Sequence, residues 1–245
     1  MRPPVVKAMA LCLALLFCGP ALAQTAQPAR TLPDWSGLWG PLSGQAGFRS
    51  PLAPIPHTPE FKKRLEAQVK ALAGQGGVAH DPTTNCEPPG MPRLMQAPYP
   101  VEFILEPQRV VILYENNQQV RRVWTDGRKL PPLAEVEPTY NGYSVGRWDG
   151  DTLVVDTIGL KESTLIDSRS FHSDALHINE RFRRLDKGTM QQVVTLTDPK
   201  ALVDSWSTTY LWKHEPTWEM KEYVCAENSR NQSKADGTSS LMPSK

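Results

Sequence analysis

GYSVGRWDGDTLVVDT, residues 142–157, decides the fold. GYSVGRW alternates its faces up to Asp149-Gly150, with Tyr143, Val145 and Arg147 on one side, and DTLVVDT follows the turn. Alternation with period two marks a strand that faces two environments. Asp-Gly is among the strongest two-residue hairpin signals, because tight hairpin turns draw on positive φ. The stretch therefore reads as strand, turn, strand, with the second strand returning beside the first.

The same grammar continues on both sides. Downstream, ALHINERFRRL (175–185) turns through Asp186-Lys187-Gly188 into TMQQVVTLTD (189–198). WSTTYLWKH (206–214) then pairs around Glu215-Pro216 with WEMKEYVC (218–225). Upstream, VEFILE (101–106), RVVILYE (109–115) and QQVRRVWT (118–125) follow one another, with turns at Pro107-Gln108 and Asn116-Asn117. A proline-rich insert, LPPLAEVEP (130–138), separates them from residue 142. This predicts nine successive strands after residue 100, with a tenth in DWSGLWG (34–40). No βαβ unit and no internal repeat interrupts them. A long meander removes its edges by closing on itself. The expected fold is mainly β: an up-and-down antiparallel β-barrel of calycin or lipocalin type, with a two-sheet sandwich as its competitor.

The N-terminal part reads differently. Residues 1–23 have the form of a secretory signal, with Arg2 and Lys7 before the apolar run AMALCLALLFCGPALA and a small-x-small site at Ala21-Leu22-Ala23. A lipoprotein anchor at Cys18 is the rival reading. The run is too short and too broken by Gly19-Pro20 for a membrane span. Residues 24–58 form a proline- and glycine-rich arm, and residues 59–245 hold the helix, an ordered loop and the barrel. In the helix, Thr58 caps, Pro59 takes the first position, and Phe61, Leu65, Val69 and Leu72 recur at helical spacing, until Gly74-Gln75-Gly76-Gly77 ends it. NCEPPGMPRLMQAPYP (85–100) carries too many prolines for regular structure and reads as a loop lying across the barrel or over one end.

Removing the signal leaves 25 Lys+Arg against 26 Asp+Glu, a balance that argues against nucleic-acid partners. It also leaves two cysteines, Cys86 and Cys225, which an oxidising compartment joins into one long-range bridge from the arm side to the last strand.

Several strands carry mixed faces. His177, Asn179, Arg181 and Arg183 share one face, opposite Leu176, Ile178, Glu180 and Phe182. Val120, Arg122 and Trp124 share another, as do Tyr143, Val145 and Arg147, and Thr208, Tyr210 and Trp212. Rings beside a few donors suit a cavity that holds an amphipathic small molecule. Within that frame, His172 and His177 are the candidate acid and base, with Asp156 placed to fix a histidine tautomer. Arg181 lies about 13 Å along the strand from His177. Arg181 and Arg122 are candidates to hold a phenolate or carboxylate. Tyr99, Tyr140, Tyr143 and Trp212 complete the expected binding residues, and Glu180 reads as an ion-pair partner. His172, Asp174 and His177 are the one conceivable metal set, but without an HExxH pattern or a free cysteine pair no metal or other cofactor is expected. GYSVG (142–146) has the Gly-x-Ser-x-Gly form, yet it precedes a hairpin rather than forming a strand-to-helix elbow.

GRWDGDTLVVDT, HSDALHINERFRR, TLTDPKAL and EYVCAEN, with CEPPGMPR and APYP upstream, together resemble a family of secreted bacterial proteins of largely unknown function. The resemblance covers roughly residues 35–228. It implies a periplasmic, lipocalin-like barrel and action on plant-derived aromatic compounds, and it transfers no catalytic residue. The expected function is a cofactor-independent lyase, hydratase or isomerase acting on a small aromatic, lignin-type compound by histidine acid/base chemistry. The alternatives are a periplasmic carrier of a small hydrophobic ligand, or an envelope-interaction protein with a packed interior.

Overall fold

Alternating side chains bury one face of most strands and leave the other at least partly in water, and here that division closes a sheet into a barrel. The computed structural model describes residues 31–42, 54–73, 83, 86–167, 170–228, 231–233 and 239–241. The predicted signal at 1–23, most of the arm and the glycines after the helix lie outside these residues. The strands are β1 (Leu38–Pro41), β2 (Val101–Glu106), β3 (Arg109–Tyr114), β4 (Gln119–Trp124), β5 (Tyr143–Asp149), β6 (Thr152–Ile158), β7 (His177–Arg184), β8 (Thr189–Thr197) and β9 (Trp206–Glu215). They form a closed barrel in chain order, with β1 pairing both β2 and β9.

Two features differ from the expected meander. WEMKEYVC is not a strand: β1, from the arm, occupies the edge of β9 that this segment would need. Residues 218–224 run without regular structure into α2 (Cys225–Asn228), so Cys225 sits on a short helix rather than on a last strand. The second difference is at β4 and β5, which pair in parallel over Val123↔Ser144 and Trp124↔Val145, while every other barrel pairing is antiparallel. Parallel neighbours need a crossover of a dozen or more residues, and the insert at 125–142 is long enough to supply it.

The local signals act as their chemistry predicts. Asp149 pairs with Thr152 across a two-residue loop whose first residue, Gly150, has φ +60°. The turn is thus centred one residue later than Asp149-Gly150, with one positive φ rather than two. Helix α1 (Pro59–Ala73) starts where Thr58 Oγ1 accepts the Phe61 N–H at 3.5 Å, and the Thr58 N–H donates to Ala201 O at 2.9 Å. Phe61 is buried and Leu65 half-buried; the side chains of Val69 and Leu72 lie outside the described residues.

Among the described residues the lumen is filled by side chains, where the mixed faces suggested an open cavity. Near the β5–β6 turn, Trp35 stacks edge-on against Phe103 (5.4 Å between centroids), Phe103 against Phe182 (5.5 Å), and Trp148 tilts onto Trp35 at 5.2 Å. From the opposite end the proline-rich loop pushes Met91, Leu94 and Met95 inward, where each is almost fully buried. That loop is a plug rather than a cover. Cys86 and Cys225 are joined, with Cα atoms 5.6 Å apart and a sequence separation of 139. Closing so long a loop stabilises by about 5 kcal/mol in the chain-entropy picture. Among the described residues no helix is long and apolar enough to cross a membrane.

Candidate functional site

The parallel seam leaves room on the outer wall. Only two residue pairs of β4 and β5 are in register, so the start of β4 diverges from residues 139–143. Between them lies a groove of about 330 Å³, lined among others by Gln119, Val120, Arg122, Trp124, Tyr140, Asn141 and Tyr143. Three residues singled out in the sequence, Arg122, Tyr140 and Tyr143, meet here.

Each lining group has a defined state. Arg122 is exposed and makes no hydrogen bond or ion pair among the described residues. Arg128 lies 4.0 Å over the Trp124 ring, is gripped by Asp126 (Nε–Oδ1 2.9 Å), and donates to the Tyr143 hydroxyl at 3.2 Å. The Asp126 hydrogen bonds hold that guanidinium's pKa well above its ordinary value. The Tyr140 hydroxyl donates to Glu87 Oε2 at 3.2 Å, and Lys161 Nζ sits 4.5 Å over its ring. Burial, reinforced by the Glu87 carboxylate, raises the Tyr140 pKa, so the phenol stays protonated. Asn141 donates its amide to Gln119 Oε1 at 3.2 Å, while its own Oδ1 is buried with no partner among the described residues. A buried acceptor left empty costs about 1–3 kcal/mol. Gly142, at φ +66°, allows this loop to pass: a Cβ there would lie 2.7 Å from Ile158 O.

The disulfide braces one wall. Glu87 follows Cys86; its carbonyl accepts from Asn117 Nδ2 at 3.2 Å, and its carboxylate holds Tyr140. Beneath the groove runs a buried polar network. Arg121 points inward between outward Val120 and Arg122, and forms a two-pronged ion pair with Glu180, both about 1% exposed or less. Arg121 also donates to Thr157 Oγ1 (2.8 Å) and Ser144 Oγ (3.3 Å), and those hydroxyls bond each other at 2.8 Å. Gln192 donates to Glu180 Oε1 at 2.9 Å and accepts from Trp212 Nε1 at 2.9 Å. Burial disfavours the guanidinium's charge, but Glu180 more than offsets it, so Arg121 stays protonated. Burial pushes the nearby Tyr114 phenol up to about 12. Ser144, the serine of GYSVG, is committed to this network on a strand and is no nucleophile elbow.

The histidines do not share a site. His172 is fully buried, with Nδ1 on Ser173 O and Nε2 on Thr164 Oγ1, both at 2.7 Å. A carbonyl can only accept, so Nδ1 carries the proton and Nε2 accepts from threonine. Burial keeps the ring's pKa below its usual value. His177 faces outward at the start of β7, its Nε2 3.1 Å from Asp156 Oδ1. Asp156 thus orients a histidine, but His177 rather than His172, and it is shared with Asn179 (2.8 Å) and Arg147 (3.5 Å). Asp174 pairs with Lys200 at 2.6 Å, so the conceivable set His172, Asp174 and His177 does not converge on one point. Arg181 is outward and paired with Asp149 at 3.1 Å. Tyr99 stands edge-on to Tyr223 (5.2 Å) in a separate loop groove of about 370 Å³, and Trp212 lies in the lumen.

Sequence reasoning passed over Arg121, Trp124's stacking partner Arg128, and Asn141. Two adjacent arginines in QVRRVW hide which one is inward, and the usable signal was Glu180, a lone carboxylate on the apolar face of β7. The chain matches no family model and no curated protein sequence.

Proposed function

We propose that this chain is an exported, periplasmic binding protein whose seam groove holds a small aromatic anion. One observation carries the reading: an exposed Arg122 with no partner among the described residues stands beside Trp124, Tyr140 and Tyr143, near the buried Asn141 Oδ1, which accepts from none of them. A guanidinium takes a carboxylate or phenolate in a fork of parallel N–H donors. The rings supply flat apolar area, and a turn of the Asn141 side chain toward the groove lets its Oδ1 accept a hydrogen bond from a ligand hydroxyl. A hydroxylated aromatic acid meets all three. The disulfide between Cys86 and Cys225 and the form of residues 1–23 support the oxidising compartment.

A second reading, a cofactor-free lyase-type elimination, draws support from the Arg128–Tyr143 hydrogen bond. It assigns the proton transfer to Tyr143, since neither histidine lines the groove. Titration calorimetry with 4-hydroxybenzoate and its ring-methoxylated analogues tests the binding reading: heat must appear with the wild type and fade at least tenfold in affinity with Arg122→Ala. Heat of the same affinity in both proteins counts against the groove. Product formation that vanishes in Tyr143→Phe while binding persists selects the lyase reading instead.

A further inference from the structure

The outer wall beside the groove is aliphatic where the outer face of β7 is polar. Cross-strand register places Ile104 beside Val111 and Val111 beside Arg122, and in the neighbouring row Leu113 beside Val120. Ile104, Val111, Leu113 and Val120 therefore form one aliphatic patch across β2, β3 and β4. Ile104 and Val120 are each 41% exposed. On β7 the outward residues are His177, Asn179, Arg181 and Arg183. Exposed aliphatics standing singly need no explanation, but a contiguous patch touching a polar groove does. Val120 belongs to both, and Arg122 lies directly beside Val111. At its margins the patch is closed by Glu102, next to Leu113, and by the Glu106–Arg109 ion pair at 2.6 Å. Those carboxylates disfavour an anionic membrane surface. They do not oppose a single apolar chain that leaves the groove past Val120, away from the head on Arg122, and runs between them.

We propose that the ligand is amphipathic, its ionised aromatic head in the groove on Arg122 and its aliphatic tail laid over Val120, Val111, Leu113 and Ile104. This rests on the groove being the ligand site. The wall from β4 to β2 is two interstrand spacings, about 10 Å, which fits a chain of roughly six to eight methylenes. Each methylene taken from water onto that surface tightens binding by about two- to fourfold, the upper figure applying to full burial.

The test is a calorimetric series of 4-alkylbenzoates from hydrogen to decyl. The affinity should climb at each step to about hexyl and then level off. Ile104→Glu and Val111→Asn, both on the outer wall, should keep the affinity for benzoate itself and flatten the climb; unchanged melting temperatures confirm that they fold. Benzoate binding with no chain-length dependence in the wild type overturns the tail while leaving the groove standing. No binding of any member removes the groove reading on which the tail depends. Self-association of the wild type in sedimentation equilibrium, lost in Ile104→Glu, assigns the patch to a second copy and overturns the proposal as well.

Discussion

Glu180→Leu should be among the most damaging single changes in the barrel. The carboxylate accepts from both terminal nitrogens of Arg121 and from Gln192, and neither charge reaches water. Removing Glu180 leaves a guanidinium with the Thr157, Ser144 and Tyr114 hydroxyls but no opposite charge beside it among the described residues. An uncompensated buried charge of this kind costs about 3–5 kcal/mol. At this chain length each kcal/mol moves the melting temperature by roughly 2–4 °C, so the variant should melt about 6–20 °C lower. Removing both charges is different, because the desolvation penalty of each disappears with it. Glu180→Leu with Arg121→Met should therefore regain most of the lost stability. Urea denaturation followed by tryptophan fluorescence, on the wild type, both singles and the double, gives the coupling directly. A Glu180→Leu variant within about 1 kcal/mol of wild type, or a double variant no better than the worse single, refutes the claim that the pair acts as a buried unit.

Three further outcomes follow from the same geometry. His172 titrates below its usual 6.5 when folded and at about 6.5 when unfolded, so its contribution is intact above pH 6.5 and drains as pH falls below it, by at most about 1.4 kcal/mol per pH unit. His172→Asn should flatten that part of the stability–pH curve between pH 7 and 5.5, although half-buried His57, also shifted down, keeps some slope; equal slopes in the two proteins contradict the assignment. Cys225→Ser should lower stability by about 5 kcal/mol and, through Glu87 and Tyr140, weaken groove binding; binding untouched in a folded Cys225→Ser protein separates the bridge from the groove. Gly142→Ala, forced to φ +66° with its Cβ against Ile158 O, should lose about 1–3 kcal/mol and the groove's shape together, read by melting and by calorimetry; a neutral outcome means the loop is freer than its contacts imply.

Much of the barrel was legible because period-two alternation and turn chemistry are local. ALHINERFRR states its own faces: Leu176, Ile178, Glu180 and Phe182 are inward and almost fully buried, and Glu180, placed there by alternation alone, proves to be an ion-pair partner. Asp149-Gly150 and DWSGLWG marked a hairpin and a strand that both exist. WEMKEYVC misled because its residues can pair, while the partner edge was already filled by β1, a competition that no local window contains. The parallel seam was hidden in the insert at 125–142, whose proline content suggests a loop without saying which way the chain returns. The candidate site followed the same division. Arg122, Tyr140 and Tyr143 could be picked out by residue type, but not their convergence, which the direction of β5 decides. His172 sits on a loop between Phe171 and Ser173, and that local sequence does not say which way its ring turns. It is buried because Thr164 and Ser173 satisfy both ring nitrogens.

A bound ligand's position separates the groove from every other surface of the barrel, and a bromine atom reports that position directly. In crystals of the protein soaked with 4-bromobenzoate, the anomalous bromine signal should lie in the β4–β5 groove, with the carboxylate on Arg122 and the ring beside Trp124 and Tyr140. A bromine found within the barrel among Trp212 and Gln192, or on the outer wall at His177 and Asp156, contradicts it.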